Sequence, residues 1–245
     1  MDQGPERDMI LILADISGYT RFMLANRAAL IHAQGIISTL MQAVIREVEI
    51  PLEIAKLEGD AIFMFADSGR SQDWPATCAQ VGARLARFIA AFDRALGELV
   101  QVNACPCVPC QQASRLRLKV LGHAGKALRY RLGPFEELAG VDVILLHRLL
   151  KNPIAARTYL LLTESAYQVL RPAPDPGFEA LSLDYPELGT IQARVHLPGA
   201  AETLPALRFA FLQRTWDHLR KFGWGLRLPD FARKRLVDLP DSEEA

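Results

Sequence analysis

The sequence has no surplus of either charge. Its 28 lysines and arginines balance 28 aspartates and glutamates, so no global field draws it to nucleic acid or to a membrane. No apolar run approaches the ~20 residues of a bilayer span. The opening MDQGPERDM lacks the basic and apolar regions of a secretory signal, and the expected location is cytoplasmic. Cysteine is scarce, with four in 245 residues, too few for a disulfide scaffold. With 50% hydrophobic and 23% charged residues, a disordered chain is excluded. The length suits one large domain, or one of about 190 residues with an appendage.

Several segments carry clear periodicities. MILILA (9–14) is all apolar and ends at Asp15, as a buried strand leaving a core does. Residues 27–49 place Leu30, Ile31, Gln34, Ile37, Leu40, Met41, Val44, Ile45 and Val48 on one helical face, and Pro51 stops the pattern. Residues 52–58 and 61–66 read as a hairpin turning at Gly59-Asp60. A second helix is predicted over 75–99 and a loop over 103–114. A strand over 115–125 is expected to pair with the segment KALRYRLG that follows it. A third helix over 140–151 ends at Asn152-Pro153, and strands follow at 157–163 and 190–197. This order predicts an α+β fold with helices packed on one face of a sheet.

From about residue 203 the composition changes. Between Leu204 and Leu239, eight lysines and arginines stand against three aspartates, interleaved with Phe209, Phe211, Trp216, Phe222, Trp224 and Phe231. Residues 203–245 therefore read as a basic, aromatic, helical extension. It either packs its rings on the domain or contacts a membrane surface or a protein.

Three segments, LILADISGYTRFM, KLEGDAIFMF and LAGVDVILLHRLLKN, resemble the signature segments of class III nucleotide cyclase domains, in order, across residues 8–197. The resemblance extends to a bacterial branch with a Cys-x-Cys-x-x-Cys loop and a His-Arg-Leu-Leu-Lys-Asn helix. It implies a ferredoxin-like sheet and a head-to-tail homodimer with a purine nucleotide bound between the copies. By resemblance, Asp15, Ile16 and Asp60 form the metal set for Mg²⁺ or Mn²⁺. If the first strand lies beside the hairpin, both carboxylates meet at one sheet end, and a cation relieves their repulsion. Lys56 falls at the purine-reading position, where lysine goes with adenine and hence with ATP. Glu137 falls at its partner position. Arg148 falls at the transition-state arginine.

The third segment breaks the pattern. Active relatives carry an asparagine four residues before the arginine, and here that position is Ile144. Isoleucine donates no hydrogen bond on the face it shares with Arg148. A later phosphate-binding lysine is replaced by Leu188. His147, Lys151 and Asn152 are the nearby polar residues available to substitute.

Outside the resemblance's nucleotide site, Cys105, Cys107 and Cys110 suit a metal clip, with zinc weighed equally against free thiols. Cys78 and His123 are candidate fourth ligands. His32 reads as a satisfied helix histidine, and His123 as structural unless zinc is present. Three functions follow. The first is a cyclase-fold module that binds nucleotide and metal in signalling, with catalysis degenerate. The second is an active adenylate cyclase making cyclic AMP and pyrophosphate. The third is a zinc or redox interaction module.

Overall fold

The computed structural model describes residues 3–102, 107–172 and 177–199. The expected extension at 203–245 and Cys105 lie outside them. The strands are β1 (Gln3–Ser17), β2 (Glu53–Glu58), β3 (Ala61–Asp67), β4 (Arg117–Leu132), β5 (Phe135–Ala139), β6 (Tyr159–Thr163), β7 (Glu179–Tyr185) and β8 (Gly189–His196). The helices are α1 (Tyr19–Ala25), α2 (Leu30–Ile45), α3 (Trp74–Gly82), α4 (Leu85–Val102), α5 (Val108–Gln112), α6 (Val141–Arg148) and α7 (Glu164–Leu170).

One eight-stranded sheet runs in the order β2-β3-β1-β4-β6-β8-β7, with β5 added alongside β4. Only the β4–β6 pair is parallel among the described pairings. The central strands β1 and β3 are covered on both faces, which is why they read as unbroken apolar runs. Along β1, Ile10, Ile12, Ala14 and Ile16 enter the core shared with α2, α4 and α7. Met9, Leu11 and Leu13 enter a second core that α6 closes with Leu145, Leu146 and Leu149. The α+β architecture is as expected; among the described helices most lie on one face and α6 alone lies opposite.

Helix α2, with the turn before it, is long and apolar enough to cross a membrane by length and composition alone. Its Ile36, Ile37, Leu40, Met41 and Val44 are buried in the first core, as in a core helix.

Two expectations need correction. The helix expected over 75–99 is two helices, α3 and α4. Periodicity alone ran them together, but they pack on different partners, α3 on α7 and α4 on α2. Gly82 ends α3 so close to α7 that a Cβ there would meet the Leu170 carbonyl oxygen at 2.1 Å. Likewise, the hairpin expected near residue 125 is a single strand, β4, because β1 extends far enough to pair with it through Met9↔Gly125 and Arg7↔Ala127. The chain turns instead at Gly133, whose φ is 60°, and returns as β5. Strand β7 and helix α7 were absent from the expected element order.

Candidate functional site

The β2–β3 hairpin turns at Gly59-Asp60, with Glu58 paired to Ala61 and Gly59 at φ 66°. Glycine reaches this backbone conformation without steric cost. On the other edge of β3, Ala61 pairs with Asp15, which in turn pairs with Lys119 of β4. Register therefore brings Asp15 and Asp60 to one sheet end, as the sequence predicted. Burial and then the Asp15 charge push the Asp60 carboxyl up to about 6, although backbone N–H groups of Asp60 and Ile16 favour its ionised form. Lys119 Nζ lies 2.9 Å from Asp15 Oδ2 and partly neutralises the pair.

The donor set fits a hard divalent cation. Two carboxylates converge beside the Ile16 backbone, and Mg²⁺ or Mn²⁺ takes oxygen ligands of this kind. Burial first, and the Asp15 charge second, raise the Asp60 carboxyl, and a bound cation would offset both.

The raised Asp60 carboxyl, shifted mainly by burial and further by Asp15, also sets a pH dependence of stability. The folded-state value of about 6 lies above the ordinary 3.8, so the unfolded state releases this proton first as pH rises. The stabilising contribution is complete below about pH 4 and is lost as pH rises through about 6. Without divalent ions, Asp60→Asn is expected to remove this loss between pH 4 and 7 in urea unfolding. Superimposable wild-type and variant profiles would show that Asp60 is not held protonated by its surroundings.

Lys56 and Glu137 also come together. Lys56 Nζ donates to Glu137 Oε2 at 3.1 Å and lies 3.4 Å from Glu58 Oε1. The hydrogen bond to Glu137, with Glu58 assisting, holds the ammonium above its ordinary pKa. Glu58 in turn bonds His147 Nε2 at 3.0 Å, and the His147 ring meets Phe63 edge-on with centroids 5.2 Å apart. Lys56 pairs across the sheet with Phe63 and, beyond it, Leu13, one pleat inward from the Glu58–Ala61–Asp15 row. His147 is thus bonded to Glu58 and seated on Phe63, beside the Lys56 cluster.

Helix α6 carries the remaining residues. Ile144 is 55% exposed, so the position four residues before Arg148 faces solvent rather than the core. Arg148 bonds Glu187 at 3.0 Å, and both are solvent-exposed. The substitutes suggested by sequence are partly committed elsewhere. Asn152 Nδ2 donates to Leu149 O at 2.6 Å and Tyr159 Oη at 2.8 Å, while its Oδ1 accepts from Ile154 N. His147 is held by Val143 O and Glu58. Leu188 packs against the second core.

His123 is structural, as expected. It joins Thr163 Oγ1 at 2.9 Å to Asp142 Oδ1 at 3.0 Å, and Asp142 Oδ2 accepts from Lys126 N. A Cβ on Gly125 would meet the Asp142 carboxylate at 2.3 Å, so glycine is needed for α6 to dock here. His123 is thus no ligand of the cysteine loop. Cys78 is not part of the His/Cys group found among the described residues; it is buried in the first core, and burial pushes its thiol up to about 11.

The reading of His32 as merely satisfied is also corrected. Its ring lies against two thiols, with Nδ1 3.3 Å from Cys107 Sγ and Nε2 3.4 Å from Cys110 Sγ. Only the Cys-x-x-Cys spacing was visible in sequence. The histidine arrives from a helix 75 residues earlier.

Comparison with known proteins gives three results. A family described as a protein of unknown function, DUF2652, matches residues 37–159. An uncharacterized protein of Mycobacterium tuberculosis is 29% identical over 174 residues, 71% of this chain and 79% of its own length. Among solved structures, the adenylyl cyclase CyaB from P. aeruginosa superposes with a TM-score of 0.59 at 12% identity, over 82% of this chain and 98% of that one. The guanylate cyclase domain of RhGC from Catenaria anguillulae, in complex with GTP, gives 0.51 at 15% identity, over 78% and 97%. The fold is that of class III cyclase domains.

Proposed function

The chain belongs to the DUF2652 family, and on that premise we propose that it is a cyclase-fold signalling module binding a purine nucleotide, ATP by preference, and Mg²⁺ or Mn²⁺ between two copies of itself, with catalysis degenerate. Residues 8–197 form this unit. The observation that carries the reading is the convergence of Asp15, at the end of β1, and Asp60, in the β2–β3 turn, at one sheet end through the Asp15–Ala61 register. Asp15, Asp60 and the Ile16 backbone would hold the ion, which supplies positive charge to nucleotide phosphates. Lys56 and Glu137 present a donor and an acceptor suited to one edge of adenine.

The shared site is inferred from the resemblance, in which one copy supplies the carboxylates and the other the base-reading pair. Exposed apolar side chains near Glu137 support association: Phe135, two residues from Glu137 on β5, and Val141 at the start of α6 are each 66% exposed. Symmetry counts any change there twice per dimer. Phe135→Asp combined with Val141→Asp is expected to yield a folded monomer by light scattering and to weaken ATP binding at least ~10-fold. ATP binding unchanged in a monomer would overturn the shared site.

Catalysis is assigned as degenerate from Ile144, which leaves the transition-state face of α6 without its expected donor. The alternative of an active adenylate cyclase rests on Arg148 and the carboxylates alone.

A further inference from the structure

We propose that His32, Cys107 and Cys110 form a binding site for a soft divalent metal of the zinc class, fastening the segment after α4 to helix α2. The three donor atoms lie within 4.8 Å of one another. Cys107 precedes α5 at its N-cap and Cys110 lies within that helix, so the i, i+3 spacing turns both thiols to the same side. Pro109 falls in the first turn of α5, where its missing N–H costs nothing and its fixed φ suits the helix.

The donor chemistry selects the ion. Two thiolates and an imidazole are soft to borderline ligands, which suit zinc and disfavour magnesium. Tetrahedral zinc with ordinary Zn–S and Zn–N bonds separates its ligand atoms by about 3.6–3.8 Å. The two short N···S distances, 3.3 Å at Nδ1 and 3.4 Å at Nε2, belong to opposite ring nitrogens, so a ring rotation within the 4.8 Å cluster would bring one nitrogen to face both thiols. One ring nitrogen would ligate, and the two thiols would release their protons on binding. Cys110 is 7% exposed, so its thiolate gains from a cation that offsets burial.

The neighbourhood is already ordered for this purpose. Asn26 Nδ2 donates to Gln112 Oε1 at 3.2 Å and to Phe22 O at 2.7 Å, tying the end of α5 to the α1–α2 junction. Cys107 and Cys110 pack into the core on the α2 face of the sheet, whereas Asp15 lies on the α6 side. The soft site and the carboxylate pair are therefore separate, and each can fail without the other.

The test is metal content of the full chain, purified under reducing conditions and analysed by inductively coupled plasma mass spectrometry. One zinc per chain is expected, with His32→Ala and Cys107→Ser each lowering zinc affinity ~100-fold or more. Asp15→Ala/Asp60→Ala is expected to keep its zinc. Should a variant misfold, Co²⁺ added to the reduced, metal-free wild type provides the second readout. Tetrahedral d–d bands with thiolate charge transfer support the site, and their absence overturns it. Zinc affinity unaltered in folded His32→Ala would equally overturn it.

Discussion

Ile144→Asn is expected to raise the conversion of ATP to cyclic AMP ~100-fold over the wild type, measured with Mn²⁺ by mass spectrometry. The expectation combines resemblance and geometry. Cyclase domains place an asparagine four residues before the transition-state arginine, and here Ile144 and Arg148 share one face of α6 at that spacing. A preorganised donor aimed at developing charge is worth ~10²–10³ in rate. The substitution is tolerable because Ile144 is exposed, and surface changes cost about 0.5 kcal/mol or less. Arg148 is also available: its ion pair with Glu187 is exposed, and such pairs contribute roughly 0–1 kcal/mol. A flat rate in a folded variant that still binds ATP would mean that this face of α6 does not meet the reacting phosphate.

The second large effect concerns the metal. Asp60→Ala is expected to weaken Mg²⁺-dependent ATP binding at least ~100-fold while leaving the dimer folded. Loss of a group that merely orients a ligand costs 10–100-fold in metal affinity, and Asp60 is assigned as a ligand itself. Folding should survive because the Asp60 carboxylate is strained by burial and by Asp15 rather than stabilised. Its removal leaves Asp15 paired with Lys119 at 2.9 Å. Affinity for ATP that is equal with and without Mg²⁺ in both proteins would remove the carboxylates from the account.

Much of this was legible in the sequence because it is local. The runs at 9–14 and 61–66 announced strands buried on both faces, and Gly59-Asp60 announced their turn. Once those strands pair, register alone fixes Asp15 beside Asp60. The Lys56–Glu137 contact was reached only through resemblance, since β2 and β5 are remote in sequence and meet across the outer edge of the sheet face.

What the sequence hid were cross-chain dependencies. Nothing in residues 115–133 says that β1 is long enough to keep β4 straight through Gly125. Helical periodicity could not show that α3 and α4 serve different partners, or that Gly82 marks their break. His32 gave no signal because its role depends on a loop that returns to α2 only after the sheet edge and two more helices have been laid down. Asn152 looked free for catalysis, yet the turn after α6 uses its whole amide.

The most direct test is isothermal titration of the purified wild-type chain with ATP in Mg²⁺, repeated with the metal chelated. The account predicts saturable binding that requires the metal, accompanied by little or no cyclic AMP in the recovered product. Absence of any ATP or GTP binding by a folded dimer in Mg²⁺ or Mn²⁺ would contradict it.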